Sequence, residues 1–303
     1  MTIHEAYTRL LQNLYVIYDK REAANIADWI LENLTTKKKV DRIVYKNLQL
    51  DKSQELKLSN YADQLLQHRP VQYVLNEAWF AGLKLYVDEA VLIPRPETEE
   101  LVDWIIEDVR CTMYDVRCEE ANAKVKSQKS KVSILDVGTG SGCISLAIKS
   151  KIKDDADVSA VDVSGDALAV AKKNAENTKL NIRFLHLNFL DKQQWETLGT
   201  YDIIVSNPPY IKQSEDGAMK DNVLKYEPQI ALFVPDEDAL IFYRALAECA
   251  QEHLNDSGSL FVEINESLGQ QVVDLFKESN LRNVELRKDL QGKDRMIKAV
   301  KNY

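Results

Sequence analysis

The chain has 303 residues, 45% of them apolar and 29% charged, with a formal net charge of −9, which favours two domains with a proper core. Proteins that bind duplex nucleic acid usually carry a basic excess that neutralises phosphates, so the acidic balance argues against direct nucleic-acid binding. No CxxC pair, zinc-type cysteine spacing, secretory pattern or apolar run of about 18 residues occurs, so we expect a cytoplasmic protein with reduced thiols and neither a metal nor a membrane anchor.

Residues 1–68 have the apolar periodicity of helices throughout. Apolar side chains recur at steps of three or four residues, as at Leu10 and Leu14 and again at Ile26 and Ile30. Proline and glycine are absent from this part of the chain. We predict a bundle of three to five short helices with a packing or docking role, since it carries no paired carboxylates or histidine cluster.

Residues 69–98 break this pattern and are predicted to be a β-hairpin linker. The segments "WFAGLKLYV" and "AVLI" alternate as strands do, and Pro94 and Pro96 then end them. A helix follows in "ETEELVDWIIEDV", with acidic residues in its first turn. The charged stretch 110–131 is interpreted as a surface insertion or a frayed extension of that helix.

Residues 99–303 are predicted to form one α/β domain. From Val132 onward, strands such as "VSILDV", "DVSAVDV" and "YDIIVSN" alternate with helices such as "GDALAVAKKNAENT". Regular alternation indicates βαβ units and a mostly parallel, Rossmann-like sheet covered on both faces. The last two strands, "NVELRKD" and "RMIKAV", have no helix between them and would form an antiparallel edge.

A glycine-rich loop follows the first strand of this domain. The loop consists of Gly138, Thr139, Gly140, Ser141 and Gly142. Glycines there permit a tight turn and let a ligand lie against the backbone at a helix N-terminus, although dinucleotide enzymes use a similar loop. Asp136 before the loop would repel a pyrophosphate but could hold an ammonium or hydroxyl group, and Asp162 at the end of the next strand could accept from ribose hydroxyls. Together the two aspartates favour a binding site for S-adenosylmethionine. The alternative is that Asp136 only caps a helix and Asp162 is only a turn residue.

Two further strand ends carry candidate site residues. Asn188 and Phe189 follow the third strand, where an amide and an aromatic ring suit an adenine base, with core packing as the alternative for Phe189. The fourth strand ends in "IVSNPPYI", which contains Asn207, Pro208, Pro209 and Tyr210.

This proline-rich motif suggests the reaction. The side-chain oxygen of Asn207 and a proline carbonyl form a pair of acceptors for a planar –NH2 group, and Tyr210 offers a wall beside it. Holding both hydrogens would aim the nitrogen lone pair at a methyl donor without a strong base or a metal. The alternative is a strand that simply ends in a proline turn.

The chain resembles the HemK/PrmC family of release-factor glutamine methyltransferases. The motifs "IPRPETE", "ILDVGTGSGCISLAI", "AVDVSGDALAVAKKNA", "IVSNPPYI" and "YEPQIAL" occur in the family's order within residues 69–303, whereas the N-terminal bundle matches only in helical character. The family methylates the side-chain nitrogen (N5) of the glutamine in the Gly-Gly-Gln loop of peptide chain release factors. Departures from its pattern include Asn188 for a common aspartate, Asn76 for a glycine, and the residues after Glu263.

The resemblance implies roles for particular residues. The glycine loop, Asp162 and Asn207 would contact the cofactor, and Asn188 and Phe189 would bind its adenine. The stretch from Asn207 to Tyr210 would hold the glutamine amide, with Asn207 and Pro208 as the catalytic residues. Arg95, Glu97 and Thr98 would lie near the cleft, and the bundle would dock the release factor to a monomeric enzyme. The alternatives are an adenine N6 amino-methyltransferase acting on DNA or RNA, which shares the NPPY motif, and an inactive cofactor-binding scaffold.

Overall fold

The structure is a computed structural model that describes residues 1–118, 131–218 and 221–302. Contacts divide the described residues into two units: 1–77 with 221–226 form one, and the rest form the other. The predicted linker is shared between them, since 69–77 belong to the first unit and 78–98 to the second. The domain boundaries at 68 and 98 therefore stay predictions.

The first unit is built from short capped helices. Its helices along the chain are α1 Ile3–Leu14, α2 Lys20–Thr35, α3 Lys39–Val44, α4 Lys52–Leu66 and α5 Val71–Leu75. Thr2 with Glu5 and Asp51 with Gln54 form capping boxes that satisfy the first backbone N–H groups of α1 and α4. Of the periodic apolar residues, Leu10, Leu14, Ile26 and Ile30 lie in one buried cluster, whereas the apolar side chains of α3 are exposed. The five helices agree with the predicted bundle.

The second unit begins with a hairpin of β1 Ala78–Phe80 and β2 Leu83–Leu85, paired antiparallel. Its helices are α6 Pro96–Cys118, α7 Cys143–Ile152, α8 Gly165–Thr178, α10 Ile241–His253 and α11 Gly269–Glu278, while α9 Asp221–Tyr226 belongs to the first unit. The charged stretch 110–131 continues α6 as far as Cys118, and 119–130 lie outside the described residues.

A seven-stranded sheet forms the centre of the second unit. Its strands are β3 Val132–Val137, β4 Ala156–Asp162, β5 Arg183–His186, β6 Tyr201–Ser206, β9 Leu254–Glu263, β10 Leu281–Lys288 and β11 Asp294–Lys301. Their order is β10-β11-β9-β6-β3-β4-β5, with the pairs between β9 and β5 parallel and the pairs that involve β11 antiparallel. The predicted α/β class and the antiparallel edge are thus confirmed.

The order of the strands locates a ligand crevice. The chain moves outward from β3 through β4 to β5 and then returns to the other side of β3 with β6. Such a reversal opens a crevice at the carboxyl ends of the strands, where open α/β sheets bind ligands. A separate parallel pair, β7 Ile211–Lys212 and β8 Phe233–Val234, follows the NPPY motif and was not predicted from the sequence.

The sheet separates two apolar layers because neighbouring residues of a strand point to opposite faces. Ile134 and Ile203 pack in the cluster that includes Trp104 of α6. Leu135 and Ile204, one position further along, pack in the cluster with the residues of α10 and α11. Among the helices that the structure describes, none is both long and apolar enough to cross a membrane.

Candidate active site

A cleft of about 340 Å³ lies at the carboxyl ends of β3, β4, β5 and β6. The predicted site residues that line it are Arg95, Thr98, Gly138, Thr139, Gly140, Ser141, Asp162, Asn188, Phe189, Asn207, Pro208 and Pro209. Four strand ends of the sheet thus bring most of the predicted residues to one place. Gly142 and Tyr210 lie outside this lining.

The glycines of the loop differ in what surrounds them. Gly138 (φ +71°) and Gly140 (φ +54°) have no atom within 4 Å of where a Cβ would stand, so the backbone is open to the cleft. At Gly142 (φ +81°) a Cβ would meet Leu146 Cδ1 at 3.2 Å and Ala171 Cβ at 3.3 Å. Gly142 therefore allows α7 to pack closely against α8.

Asp136 lies behind the loop and is fully buried. Its Oδ2 accepts from Thr139 Oγ1 at 2.6 Å and from Ser145 N at 3.2 Å, and burial raises the pKa of this carboxyl to about 6. These contacts hold both ends of the glycine turn. The sequence suggested that Asp136 faces a ligand, but its hydrogen bonds stabilise the glycine loop from the buried side.

Asp162 lines the cleft and also fixes the loop. Its Oδ2 accepts from Gly140 N at 2.8 Å and its Oδ1 accepts from Ser164 N at 2.9 Å. Burial raises the pKa of this carboxyl. Each carboxylate oxygen has a second lone pair, so the group can still accept from hydroxyls of a ligand in the cleft.

Asn188 and Phe189 form another wall of the cleft. Asn188 Oδ1 accepts from Leu190 N at 3.2 Å. This hydrogen bond leaves the NH2 group of the Asn188 amide to donate to a ligand. Phe189 packs against Trp195 with ring centroids 5.3 Å apart, and Trp195 Nε1 donates to the Phe189 carbonyl at 3.0 Å. Phe189 is thus a core residue that also borders the cleft.

Asn207 is held by a threonine from a different element. Its Nδ2 donates to Thr98 Oγ1 at 3.1 Å, and Thr98 lies in the first turn of α6. Tyr210, expected as a wall for the substrate, instead directs its hydroxyl to Glu263 Oε1 at 3.4 Å. Burial is the main cause that raises the pKa of Tyr210.

Glu227 is a buried acidic residue that was not predicted from the sequence, and it holds a side chain that lines the cleft. Arg95, which lines the cleft, donates to Glu227 Oε1 at 2.6 Å, and Ile93 N donates to Glu227 Oε2 at 3.3 Å. Glu227 belongs to the "YEPQIAL" motif, so its position in that motif was the available signal. Glu97, the remaining candidate near the cleft, accepts from Gln291 Nε2 at 3.2 Å and is not part of the lining.

Within 1–118, 131–218 and 221–302, no group of three or more His, Cys, Asp or Glu side chains is placed to hold a metal ion. Among the described residues, the polar groups that border the cleft are amides, hydroxyls, the Cys143 thiol, backbone groups and the charged side chains of Arg95 and Asp162.

Family models match two parts of the chain. Residues 5–75 match the PrmC N-terminal domain, and residues 122–227 match the methyltransferase small domain. The first match covers the helical bundle. The second covers β3 to β7 with the glycine loop and the NPPY motif.

Relatives and solved structures extend this likeness to nearly the whole chain. "Release factor glutamine methyltransferase" of Flavobacterium psychrophilum is 43% identical over 300 residues, which is 99% of both chains. The protein of that name from Bacteroides thetaiotaomicron is 38% identical over 295 residues, 97% of this chain and 98% of the relative. The hMettl16 catalytic domain, solved in complex with MAT2A 3′UTR hairpin 6, shares the fold at 13% identity, with a TM-score of 0.53 over 84% of this chain and 83% of that one. The chain belongs to the release factor glutamine methyltransferase family.

Proposed function

We propose that this protein transfers a methyl group from S-adenosylmethionine to the side-chain amide nitrogen (N5) of the glutamine in the Gly-Gly-Gln motif of a peptide chain release factor. One observation carries the proposal: Asn207 borders the cleft and its Nδ2 is occupied by Thr98. The Asn207 oxygen is therefore the part of the amide left to accept from a substrate. The printed names of the two relatives matched over nearly their full length support this substrate.

The cleft fits the proposed cofactor. Its volume of about 340 Å³ lies within the range of roughly 300–1,000 Å³ typical of small-molecule sites. The open backbone at Gly138 and Gly140 leaves room for the amino acid part of S-adenosylmethionine, Asp162 can accept from its ribose hydroxyls, and Phe189 can lie against its adenine. When bound, S-adenosylmethionine supplies an electrophilic methyl group on a positively charged sulfur.

The residues of the NPPY motif would position the glutamine. The oxygen of Asn207 and the carbonyl of Pro208 accept the two hydrogens of the substrate amide. Neither proline of the motif has an N–H that could compete with the substrate for these acceptors. An amide nitrogen is a weak nucleophile, so the rate depends on orientation. Holding reacting groups in place can contribute about 7–11 kcal/mol to lowering a barrier.

The N-terminal bundle would dock the release factor. Helix α3 exposes three apolar side chains, Val40 at 72%, Ile43 at 67% and Val44 at 70%. Exposed apolar side chains that cluster on one face are typical of protein-binding surfaces. The proposed enzyme acts as a monomer in the cytoplasm, where release factors act on ribosomes.

An adenine N6 amino group would fit the same acceptor pair, so DNA and RNA are the competing substrates. Incubation with S-adenosylmethionine labelled in its methyl group, in the presence of release factor, DNA and RNA, distinguishes them. We expect label on the release factor alone, since the net charge of −9 opposes nucleic-acid binding. Label on DNA or RNA and none on the release factor would overturn the proposal.

A further inference from the structure

A chain of hydrogen bonds runs from the cleft into the core of the second unit. Asn207 Nδ2 donates to Thr98 Oγ1 at 3.1 Å, and Thr98 Oγ1 donates to Glu263 Oε2 at 2.6 Å. Thr98 and Glu263 are each only 2% exposed. Strands β6 and β9 pair with Ser206 opposite Val262, so Asn207 and Glu263 stand at the same level of the sheet.

The donors and acceptors along this chain have a fixed direction. An ionised carboxylate can only accept, and a threonine hydroxyl has one proton, which Thr98 gives to Glu263. The lone pairs of Thr98 are then left for a donor, and the NH2 group is the only donor of the Asn207 amide. This arrangement selects one of the two orientations of the amide, with Nδ2 toward Thr98 and Oδ1 on the opposite side.

We propose that Glu263 and Thr98 are positioning residues that set the orientation of the Asn207 amide, so that its oxygen and not its NH2 group meets the substrate amide. The inference rests on the proposed function and deepens it. Thr98 borders the cleft and Glu263 lies behind it, outside the lining, and both act through Asn207. The reversed amide would present two donors to a substrate –NH2 group, which also donates, and the pair could not form a hydrogen bond.

The protonation state of Glu263 determines which groups donate and which accept in the hydrogen bonds that join Asn207, Thr98 and Glu263. Burial raises the pKa of this carboxyl to about 7, while the hydrogen bond from Thr98 opposes the shift. A protonated Glu263 can donate to Thr98, whose own proton then points to Asn207 and favours the reversed amide. The productive orientation therefore exists above the pKa of Glu263 and is lost as the pH falls through it.

The cysteine and tyrosine side chains near Glu263 stay neutral in that range. The charged and titratable side chains that interact with it are Glu97, Cys143, Tyr210, Tyr243 and Arg295. Burial raises the pKa values of Cys143, Tyr210 and Tyr243 above their ordinary values, so all three stay neutral. Arg295 keeps its charge and pairs with Asp289 at 3.1 Å. Asp136, whose pKa burial raises to about 6, also titrates near this range, but its carboxylate accepts from Thr139 and Ser145 at the glycine loop.

The test measures single-turnover methylation of a recombinant release factor with an unmodified Gly-Gly-Gln loop, at saturating S-adenosylmethionine, using the full-length enzyme. Thr98→Val should lower the rate by about tenfold or more, the scale of one lost oriented hydrogen bond, with nearly unchanged cofactor affinity. Thr98→Ser keeps the hydroxyl and should restore most of the rate. Thr178→Val is the matched control, because Thr178 Oγ1 donates to carbonyls of its own helix, those of Asn174 and Ala175.

The pH profile separates this role from general support of the fold. The wild-type rate should fall as the pH is lowered from about 8 to about 6, whereas Glu263→Gln, which cannot titrate, should have a lower and flat rate over that range. This comparison also stands if Thr98→Val fails to fold. Equal profiles for the wild type and Glu263→Gln, or a wild-type rate in Thr98→Val, would overturn the inference while the proposed function stood. A wild-type enzyme that leaves the release factor unmethylated would overturn both.

Discussion

At Asn207, the chemistry depends on which side of one amide group faces the cleft. Asn207 follows the last residue of β6, and Thr98 holds its Nδ2. The proline pair after it removes two competing N–H donors. The position of Asn207 in the motif is readable from the sequence, and the orientation of its amide is a property of the folded site.

Substitutions at Asn207 test this residue directly. Asn207→Ala removes the acceptor and should cut the methylation rate on the order of 10²–10³-fold, the scale seen when one oriented group of this kind is lost. Asn207→Asp keeps acceptors and should retain more activity than Asn207→Ala, although it loses the donor to Thr98. Quenched single-turnover assays measure both rates, and cofactor affinity should stay near wild type. Wild-type rates in both variants would mean that Asn207 only ends a strand.

The sequence was informative about the residues at strand ends and less so about their partners. Asp162, Phe189 and Asn207 were predicted because each directly follows or ends a strand in a βαβ pattern. The pairing of Thr98 with Glu263 joins residues 165 positions apart, so no local pattern reveals it. Asp136 was placed at the correct strand, but its burial behind the loop depends on how the turn folds back.

The glycine turn before α7 and the first residues of this helix line the cleft. Helix α8 has the bounds that its sequence pattern predicts, 165–178, because a serine cap and amphipathic spacing define it locally. The segment "GSLFVEI" has the pattern of a strand that starts at Gly258, whereas β9 begins four residues earlier, at Leu254, where its register with β6 is irregular. Boundaries set by tertiary pairing of this kind are not encoded in local periodicity.

Two alanine substitutions separate the roles of the glycines in that turn. Gly138→Ala and Gly142→Ala both force a side chain into a left-handed conformation, at about 1–2 kcal/mol each. Gly142→Ala also crowds Ala171 and Leu146, so it should lower the melting temperature more. Gly138→Ala points its methyl group into the open cleft and should weaken S-adenosylmethionine binding more. Calorimetry of both variants checks this, and the reverse ranking in both measurements would contradict the assignment of the cleft.

Helix α3 provides a second test at this scale. Val40→Ser with Ile43→Ser should raise KM for intact release factor by roughly tenfold, as loss of a small apolar contact does, and leave kcat for a short Gly-Gly-Gln peptide unchanged. Leu290→Ser is the matched control, since Leu290 is also exposed, at 93%, and lies in the second unit. An unchanged KM for the intact protein would remove α3 from the docking surface.

On the scale of the whole molecule, the chain pairs a helical unit without clustered catalytic side chains with an α/β unit that contains the cleft. Composition and periodicity were sufficient to predict both, because each has a continuous local pattern. The α9 helix, 221–226, was not predicted to join the first unit, since its position in the chain lies within the sequence of the second. The acidic net charge of −9 belongs to the same scale and favours a protein substrate over a nucleic acid.

Mass spectrometry of a release factor shows directly whether this cleft methylates the glutamine of the Gly-Gly-Gln motif. A release factor incubated with the enzyme and S-adenosylmethionine is digested, and the peptide that contains Gly-Gly-Gln is fragmented. We predict the added mass of one methyl group, located on the side chain of that glutamine, and none with Asn207→Ala at the same reaction time. A Gly-Gly-Gln peptide that stays unmodified after a reaction time long enough for full conversion, or a methyl group on another residue, would contradict methylation of this glutamine by the cleft.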